Sequence, residues 1–314
     1  MEVIYNIGKL FYAEMQMCVE LQSIDKCHDL YERVKNMPSS HTRGVIEKAS
    51  NIILNGPSAD SPHILLGADI IAKKRVVVKL IKGADVPRSM TPQEREETKS
   101  AEIEACKFFT ALDVDGLVKC EVVEVKIESA DQLQVGVGYW QAIKMRDYGI
   151  CLARYIKFPE DLIEKGFHRI LNALQRVHLH KFVHMDVKSA NVFVTDDLLW
   201  DLGDFGSVRK NGEKVLSWTP LFTPYEMPLS CEVIEEMDMV QLCVMIAVEL
   251  TKDNWGKQLC REDSGGEGAH VQEHRVLEAL MSIKSQSFRD EITQLFQKSM
   301  IVVKNHVIRA KDNT

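Results

Sequence analysis

Hydrophobic periodicity along this 314-residue chain turns helical near Asp147-Tyr148-Gly149 and stays so. Before that point, short apolar and β-branched runs predict strands over Asn51–Leu54, His63–Ala72, Val76–Ile81, Val118–Ile127 and Gln132–Met145, with Lys73-Lys74-Arg75 as the turn between the second and third. After it, helical spacing predicts Phe158–His180, Met237–Leu250, Val271–Ser285 and Phe288–Val303. One helix interrupts the β-rich part. Thr91-Pro92-Gln93-Glu94 supplies an N-cap hydroxyl, a proline at the first helical position and a glutamate three residues after the cap, so a helix should run to about Ala111. A β-rich front with one main helix, followed by a helical rear, predicts an α+β chain in two lobes that cross near Met145–Gly149.

Residues ahead of this pattern, to about 44, have helical spacing, with Ile7, Leu10, Phe11, Met15, Cys18, Val19 and Leu21 on a broad apolar face. Pro38-Ser39-Ser40 breaks it. This segment is expected to pack on the smaller lobe or to bind a partner.

Charge and composition narrow the function classes. A formal net charge of −7 argues against a dedicated nucleic-acid binder and against adhesion to anionic lipid, so neither partner is expected. No apolar run reaches the roughly 20 residues that span a bilayer, and the run around Met239–Leu250 carries Gln241 and Glu249. Met1–Leu10 lacks the pattern of a secretory signal. The eight cysteines stand singly, without a C-x-x-C pair, which suits reduced thiols in a cytoplasmic or nuclear setting.

The chemistry concentrates in His184-Met185-Asp186-Val187-Lys188-Ser189-Ala190-Asn191, followed by strand-like Val192-Phe193-Val194. Phosphoryl transfer to a hydroxyl needs a carboxylate to orient it, cations on the phosphates and ligands for Mg²⁺. Asp186 suits the first task, Lys188 the second and Asn191 the third, which leaves His184 a structural role. Downstream, Leu202-Gly203-Asp204-Phe205-Gly206 offers Asp204 as a hard oxygen ligand. The interval between Asp186 and Asp204 accommodates a β-hairpin, so both carboxylates can serve one site.

These two segments resemble the catalytic loop and the metal-binding loop of eukaryotic protein kinases, and the resemblance extends over about residues 50–300. It implies a bilobal kinase-like fold: a helical extension over 1–49, a small β-rich lobe over 50–145 and a larger helical lobe over 146–314. It further implies ATP with Mg²⁺ or Mn²⁺ as cofactors and a protein substrate with a Ser or Thr acceptor. In Val76-Val77-Val78-Lys79, Lys79 would reach the α- and β-phosphates. Its partner would be Glu102, which shares a helix face with Ala105, Cys106 and Phe109, and not Glu104, which sits beside Lys107. Met145 would back the adenine pocket, with Arg146 and Asp147 supplying backbone contacts. Asp238 would bond the catalytic-loop backbone, and His178 would be a core histidine. Lys188, two residues after Asp186, resembles the Ser/Thr-directed form of the loop.

Three departures stand out. The phosphate-covering loop between the first two strands reads Asn55-Gly56-Pro57-Ser58-Ala59-Asp60-Ser61-Pro62 and keeps only Gly56 of three expected glycines. Met185 replaces the arginine that pairs with a phosphorylated activation segment, so activity is expected without phosphorylation there. Thr223-Pro224-Tyr225-Glu226 carries one residue more than the A-P-E it resembles. Two alternatives accompany the kinase reading: a pseudokinase scaffold with little or no catalysis, and a small-molecule phosphotransferase of the aminoglycoside or choline kinase type.

Overall fold

The structure, a computed structural model, describes residues 52–58, 61–69, 74–81, 91–127, 138–155, 157–219, 222–228, 231–260 and 271–312. The helix expected over residues 1–44 lies outside the described residues. The chain divides into two compact units, Met1–Lys82 with Lys119–Asp147, and Gly83–Val118 with Tyr148–Thr314.

The first unit holds a five-stranded sheet of β1 (Ile52–Ser58), β2 (Ser61–Asp69), β3 (Lys74–Leu80), β4 (Cys120–Ile127) and β5 (Gly138–Arg146). Its order is β1-β2-β3-β5-β4, and every pairing is antiparallel. Strand alternation sends Val76, Val78 and Leu80 to one face, where they are buried with Leu65 and Ala142 and flanked by Val123, Val125 and Trp140. Residues of opposite parity, Val77 and Lys79 on β3 with their partners Met145 and Ile143 on β5, share the other face.

Among the boundaries that differ from the sequence expectation are those of β1 and β3. Pairing with β2 continues through Gly56 and Pro57 to Ser58, with register shifts at Leu54/Gly56 and Pro57/Ser58. The segment expected as a loop is therefore largely strand. Proline is tolerated because β1 is an edge strand. Similarly, Lys74 and Arg75 belong to β3, paired with Asp69 and Ala68, instead of to the turn.

The second unit carries the helices. α1 (Pro92–Leu112) begins with the expected capping box: the Thr91 hydroxyl accepts from the Glu94 amide at 3.2 Å, and Glu94 Oε2 accepts from the Thr91 amide at 2.8 Å. The Thr91 amide, together with the Thr91 hydroxyl that also donates to Oε2, holds the pKa of the Glu94 carboxyl below its ordinary value. α2 (Glu160–Leu179) leads into β6 (Phe182–Val183), which pairs with β9 (Arg209–Lys210). Between them, β7 (Val192–Val194) and β8 (Trp200–Leu202) form the hairpin expected between Asp186 and Asp204. α3 (Glu235–Leu250), α4 (Trp255–Leu259), α5 (Glu273–Met281) and α6 (Gln286–Asp312) complete the unit. α6 outruns its expected end at Val303 because Val307 continues the buried stripe of Ile292, Phe296, Met300 and Val303.

α3 is the mount of this unit. Every residue from Met237 to Glu249 is buried, so the helix is enclosed on all faces. Each large apolar side chain fully buried contributes about 1.5–3 kcal/mol, and displacing α3 would expose many at once. Among the described residues, no helix is long and apolar enough to cross a membrane.

Candidate active site

The loop between β6 and β7 rests on α3 through two hydrogen bonds to one carboxylate, which also takes a third from α2. Asp238, fully buried, accepts from the amides of His184 and Met185, both at 2.7 Å, and from His178 Nε2 at 2.8 Å. Three donors offset the cost of burying that charge. The Met185 amide bond also supports a left-handed backbone, φ 67°, at a residue with a long side chain. One turn on, Gln241 accepts from the Val187 amide at 2.9 Å and donates to the Met185 carbonyl at 3.0 Å. His178 and Asp238 thus have the structural roles expected of them.

His184 ties this loop to the next. Its Nδ1 accepts from the Asp186 amide at 3.3 Å, so its Nε2 carries the proton and donates to the Gly203 carbonyl at 3.2 Å. Burial pushes its pKa below the ordinary value, against the pull of the Asp238, Asp186 and Asp204 charges. The Gly203 amide donates to the Asn191 carbonyl at 2.8 Å. Gly203 is therefore bonded to both ends of the loop, and Asp204 follows it directly.

Asp186 is the centre of a polar cluster. Asn191 Nδ2 donates to its Oδ2 and to its carbonyl, both at 2.8 Å. Lys188 Nζ lies 2.8 Å from the same Oδ2. The Thr219 hydroxyl donates to Oδ1 at 2.5 Å and accepts from Lys188 Nζ at 2.9 Å. One carboxylate, one ammonium and one aliphatic hydroxyl thus meet at hydrogen-bond distance.

Asp204 is exposed, with a left-handed backbone (φ 60°, ψ 79°). The next side chain, Phe205, is buried and meets Phe109 of α1 and the His184 ring edge-on, with centroids 5.1 and 5.8 Å apart. Glu102, 8% exposed, lies beside Gly206, where an added Cβ would be 3.7 Å from its Oε1. Glu104 is exposed and pairs with Lys210 at 3.3 Å, not with Lys107. Arg209 is buried, which lowers its pKa, and donates to the Val208 carbonyl at 2.6 Å and to Thr98 Oγ1 of α1 at 3.0 Å.

The structure therefore gathers Asp186, Lys188, Asn191, Asp204 and Glu102 within the helical unit. Gly56, Lys79, Met145 and Asp147 belong to the sheet unit. Gly56 is in edge strand β1, opposite Leu66. Lys79 and Met145, both half-buried, share a sheet face. The Asp147 amide donates to the Arg75 carbonyl at 3.2 Å, and its carboxylate lies 3.5 Å from Arg75 Nε. Gln241 and Thr219 were missed as site residues. Gln241 left a signal, a polar residue within an apolar helix and on the Asp238 face; Thr219 left none.

For Mg²⁺ the donor chemistry fits. With Asn191 Nδ2 committed to Asp186, its Oδ1 is the atom left for a cation, and Asp204 adds a carboxylate in the segment bonded to it. Mg²⁺ is commonly held by one or two such oxygens together with substrate phosphates. Among the described residues, no group of three or more His, Cys, Asp or Glu is arranged to hold a metal.

Comparison with known proteins agrees with this geometry. A family model described as "Protein kinase domain" matches residues 72–306, more than half of the chain. The serine/threonine-protein kinase Nek1 of Mus musculus is 44% identical over 77 residues, which are 24% of this chain and 6% of that protein. Mitogen-activated protein kinase 4 of Mus musculus is 32% identical over 152 residues, 46% of this chain and 24% of that protein. The chain thus matches less than a quarter of either relative's length. The granulovirus kinase PK-1 of Cydia pomonella superposes with a TM-score of 0.56 at 17% identity, covering 82% of this chain and 92% of that one, and so shares its two-lobed fold. With its β-sheet lobe, larger helical lobe and Asp186–Asp204 loops, the chain is a member of the protein kinase domain family.

Proposed function

We propose that this chain transfers the γ-phosphoryl group of Mg-ATP to a Ser or Thr hydroxyl of a protein. The observation that carries the reading is the Thr219 hydroxyl, held 2.5 Å from Asp186 Oδ1 with Lys188 at 2.9 Å. A loop that orients one aliphatic hydroxyl between a carboxylate and an ammonium has the chemistry to orient an acceptor's.

In this mechanism Asp186 aligns the acceptor hydroxyl and takes its proton as the new P–O bond forms and the bond from the γ-phosphorus to the β-phosphate oxygen breaks, releasing ADP. Lys188 offsets negative charge developing on the transferred group. Bound Mg²⁺ would neutralise the phosphates, with Asp204 and Asn191 Oδ1 as its protein ligands. Lys79 is assigned to the α- and β-phosphates, Glu102 to orienting that lysine, Met145 and Asp147 to the adenine, and Gly56 to the strand above the phosphates. Reduced cysteines fit the proposed cytoplasmic or nuclear setting, and Cys151, Cys231, Cys243 and Cys260 are thiols outside any disulfide.

A scaffold without catalysis is the second reading, favoured by the continuation of β1 through Gly56-Pro57-Ser58, where one glycine remains. A thermal-shift titration tests nucleotide binding, and labelling then separates the two. Mg-ATP should raise the midpoint of the wild-type chain, and Asp204→Ala should remove most of the metal-dependent part of the rise. Phosphoamino-acid analysis of a labelled basic protein should then give phosphoserine or phosphothreonine. Label on a small alcohol alone would contradict the protein-kinase assignment.

A further inference from the structure

Asp238 and Gln241 secure the catalytic loop only as far as Val187. Its second half, Lys188 to Asn191, carries the ammonium and the amide assigned to the metal. That half is fastened from a different point on α3. Ser189 Oγ, buried, donates to Glu249 Oε1 at 2.7 Å. Lys252 Nζ lies 2.7 Å from Glu249 Oε2 and donates to the Leu152 carbonyl at 2.6 Å. Leu152 opens the short 3₁₀ turn Leu152–Arg154, and its neighbour Cys151 bridges to Phe193 of β7. Glu249, 1% exposed, is thus the junction between the Ser189 turn, the end of α3 and the 3₁₀ turn.

A carboxylate at that depth is costly, and burial raises its pKa despite the bonds from Lys252 and Ser189. A neutral side chain would close the same space more cheaply. What a carboxylate alone supplies is two acceptor oxygens, one for each donor.

We propose that Glu249, neutralised by Lys252, is a positioning residue for phosphoryl transfer. It holds the Ser189 hydroxyl and so sets where Lys188 and Asn191 stand relative to Asp186. The inference rests on the kinase reading, and it adds a residue that touches neither nucleotide nor acceptor. Ser189→Ala removes the donor without adding bulk. Glu249→Gln keeps the shape but turns an amide NH₂ toward one of the two donors. Ser189→Thr keeps the hydroxyl and serves as the rescue.

The test measures kcat and KM for ATP on the purified full chain, with hydrogen exchange at the Asn191 and Gly203 amides. Those amides donate to the Lys188 and Asn191 carbonyls and report on this half of the loop. Ser189→Ala and Glu249→Gln should each lower kcat about tenfold while KM for ATP stays within about twofold, since a misplaced group costs rate more than binding. Exchange at both amides should quicken. Ser189→Thr should recover most of the rate, and the double variant should be no slower than Glu249→Gln alone. A Ser189→Ala enzyme with full kcat and a lowered melting midpoint would overturn the proposal, as would rate losses that multiply in the double variant. If the wild-type chain transfers no phosphate, the kinase reading fails and exchange decides positioning alone. Faster exchange in both variants then supports the Glu249 tether, and unchanged exchange refutes it.

Discussion

His184 shows how one buried ring sets the geometry around it. It bonds to the Asp186 amide and the Gly203 carbonyl at once, which only the neutral Nε2–H tautomer can do. Its pKa is lowered in the folded chain, whereas in the unfolded chain it should titrate near its ordinary value. The unfolded state therefore binds the extra proton as pH falls through about 6.5, and stability present above that pH is lost below it. Urea unfolding of wild type and His184→Gln between pH 7.5 and 5.5 checks this. The wild-type chain should lose more stability, by up to about 1.4 kcal/mol per pH unit, because glutamine does not titrate. Parallel curves would show that His184 does not carry the pH dependence.

At the scale of elements, α3 and the segment between Gly206 and Glu226, which the kinase resemblance makes the activation segment, divide the work. α3 carries the β6–β7 loop, so Asp238→Ala would strand the amides of His184 and Met185 and the ring of His178. The expected loss is at least about 3 kcal/mol, from three buried donors at roughly 1–3 kcal/mol each, measured as a fall in urea midpoint at constant m-value. Hydroxyls of the activation segment bond to protein partners or are buried. Ser217 donates to Ser207 at 2.9 Å, Thr219 is bonded to Asp186, and Thr223 is fully buried. Arg209, a nearby cation, is committed to Thr98 and the Val208 carbonyl. Phosphatase treatment should therefore leave the transfer rate within about twofold, because Met185 stands where the phosphate-pairing arginine would. Loss of activity on treatment, restored by a phosphosite in this segment, would contradict the account.

Across the whole molecule, what was legible followed local rules. The α1 cap, the change of period near Gly149 and the β7–β8 hairpin each depend on residues close in sequence, and each appears in the structure. Glu102 was placed inward by helical spacing alone and is buried. Three features were not legible, one because loop-forming residue types occupy a strand and two because their partners are distant in the chain. Gly56 and Pro57 look like loop residues until the β2 ladder recruits them into β1. Thr219 reaches Asp186 along an irregular path that no periodicity describes. Glu249 reads as a reason to reject a membrane helix, and its bond to Ser189 exists only once α3 lies under the loop.

The central claim is that Asp186 serves a phosphoryl transfer from ATP to a protein hydroxyl. The most direct test is single-turnover transfer from γ-labelled ATP with Mg²⁺ to a generic basic protein, run on the wild-type chain beside Asp186→Asn. The account predicts label on the acceptor or on the chain itself, lowered at least about 100-fold in the variant, the scale of a lost general base, with the nucleotide-induced thermal shift retained. Equal labelling by both proteins, or none by the wild type under conditions where Mg-ATP binds, would contradict it.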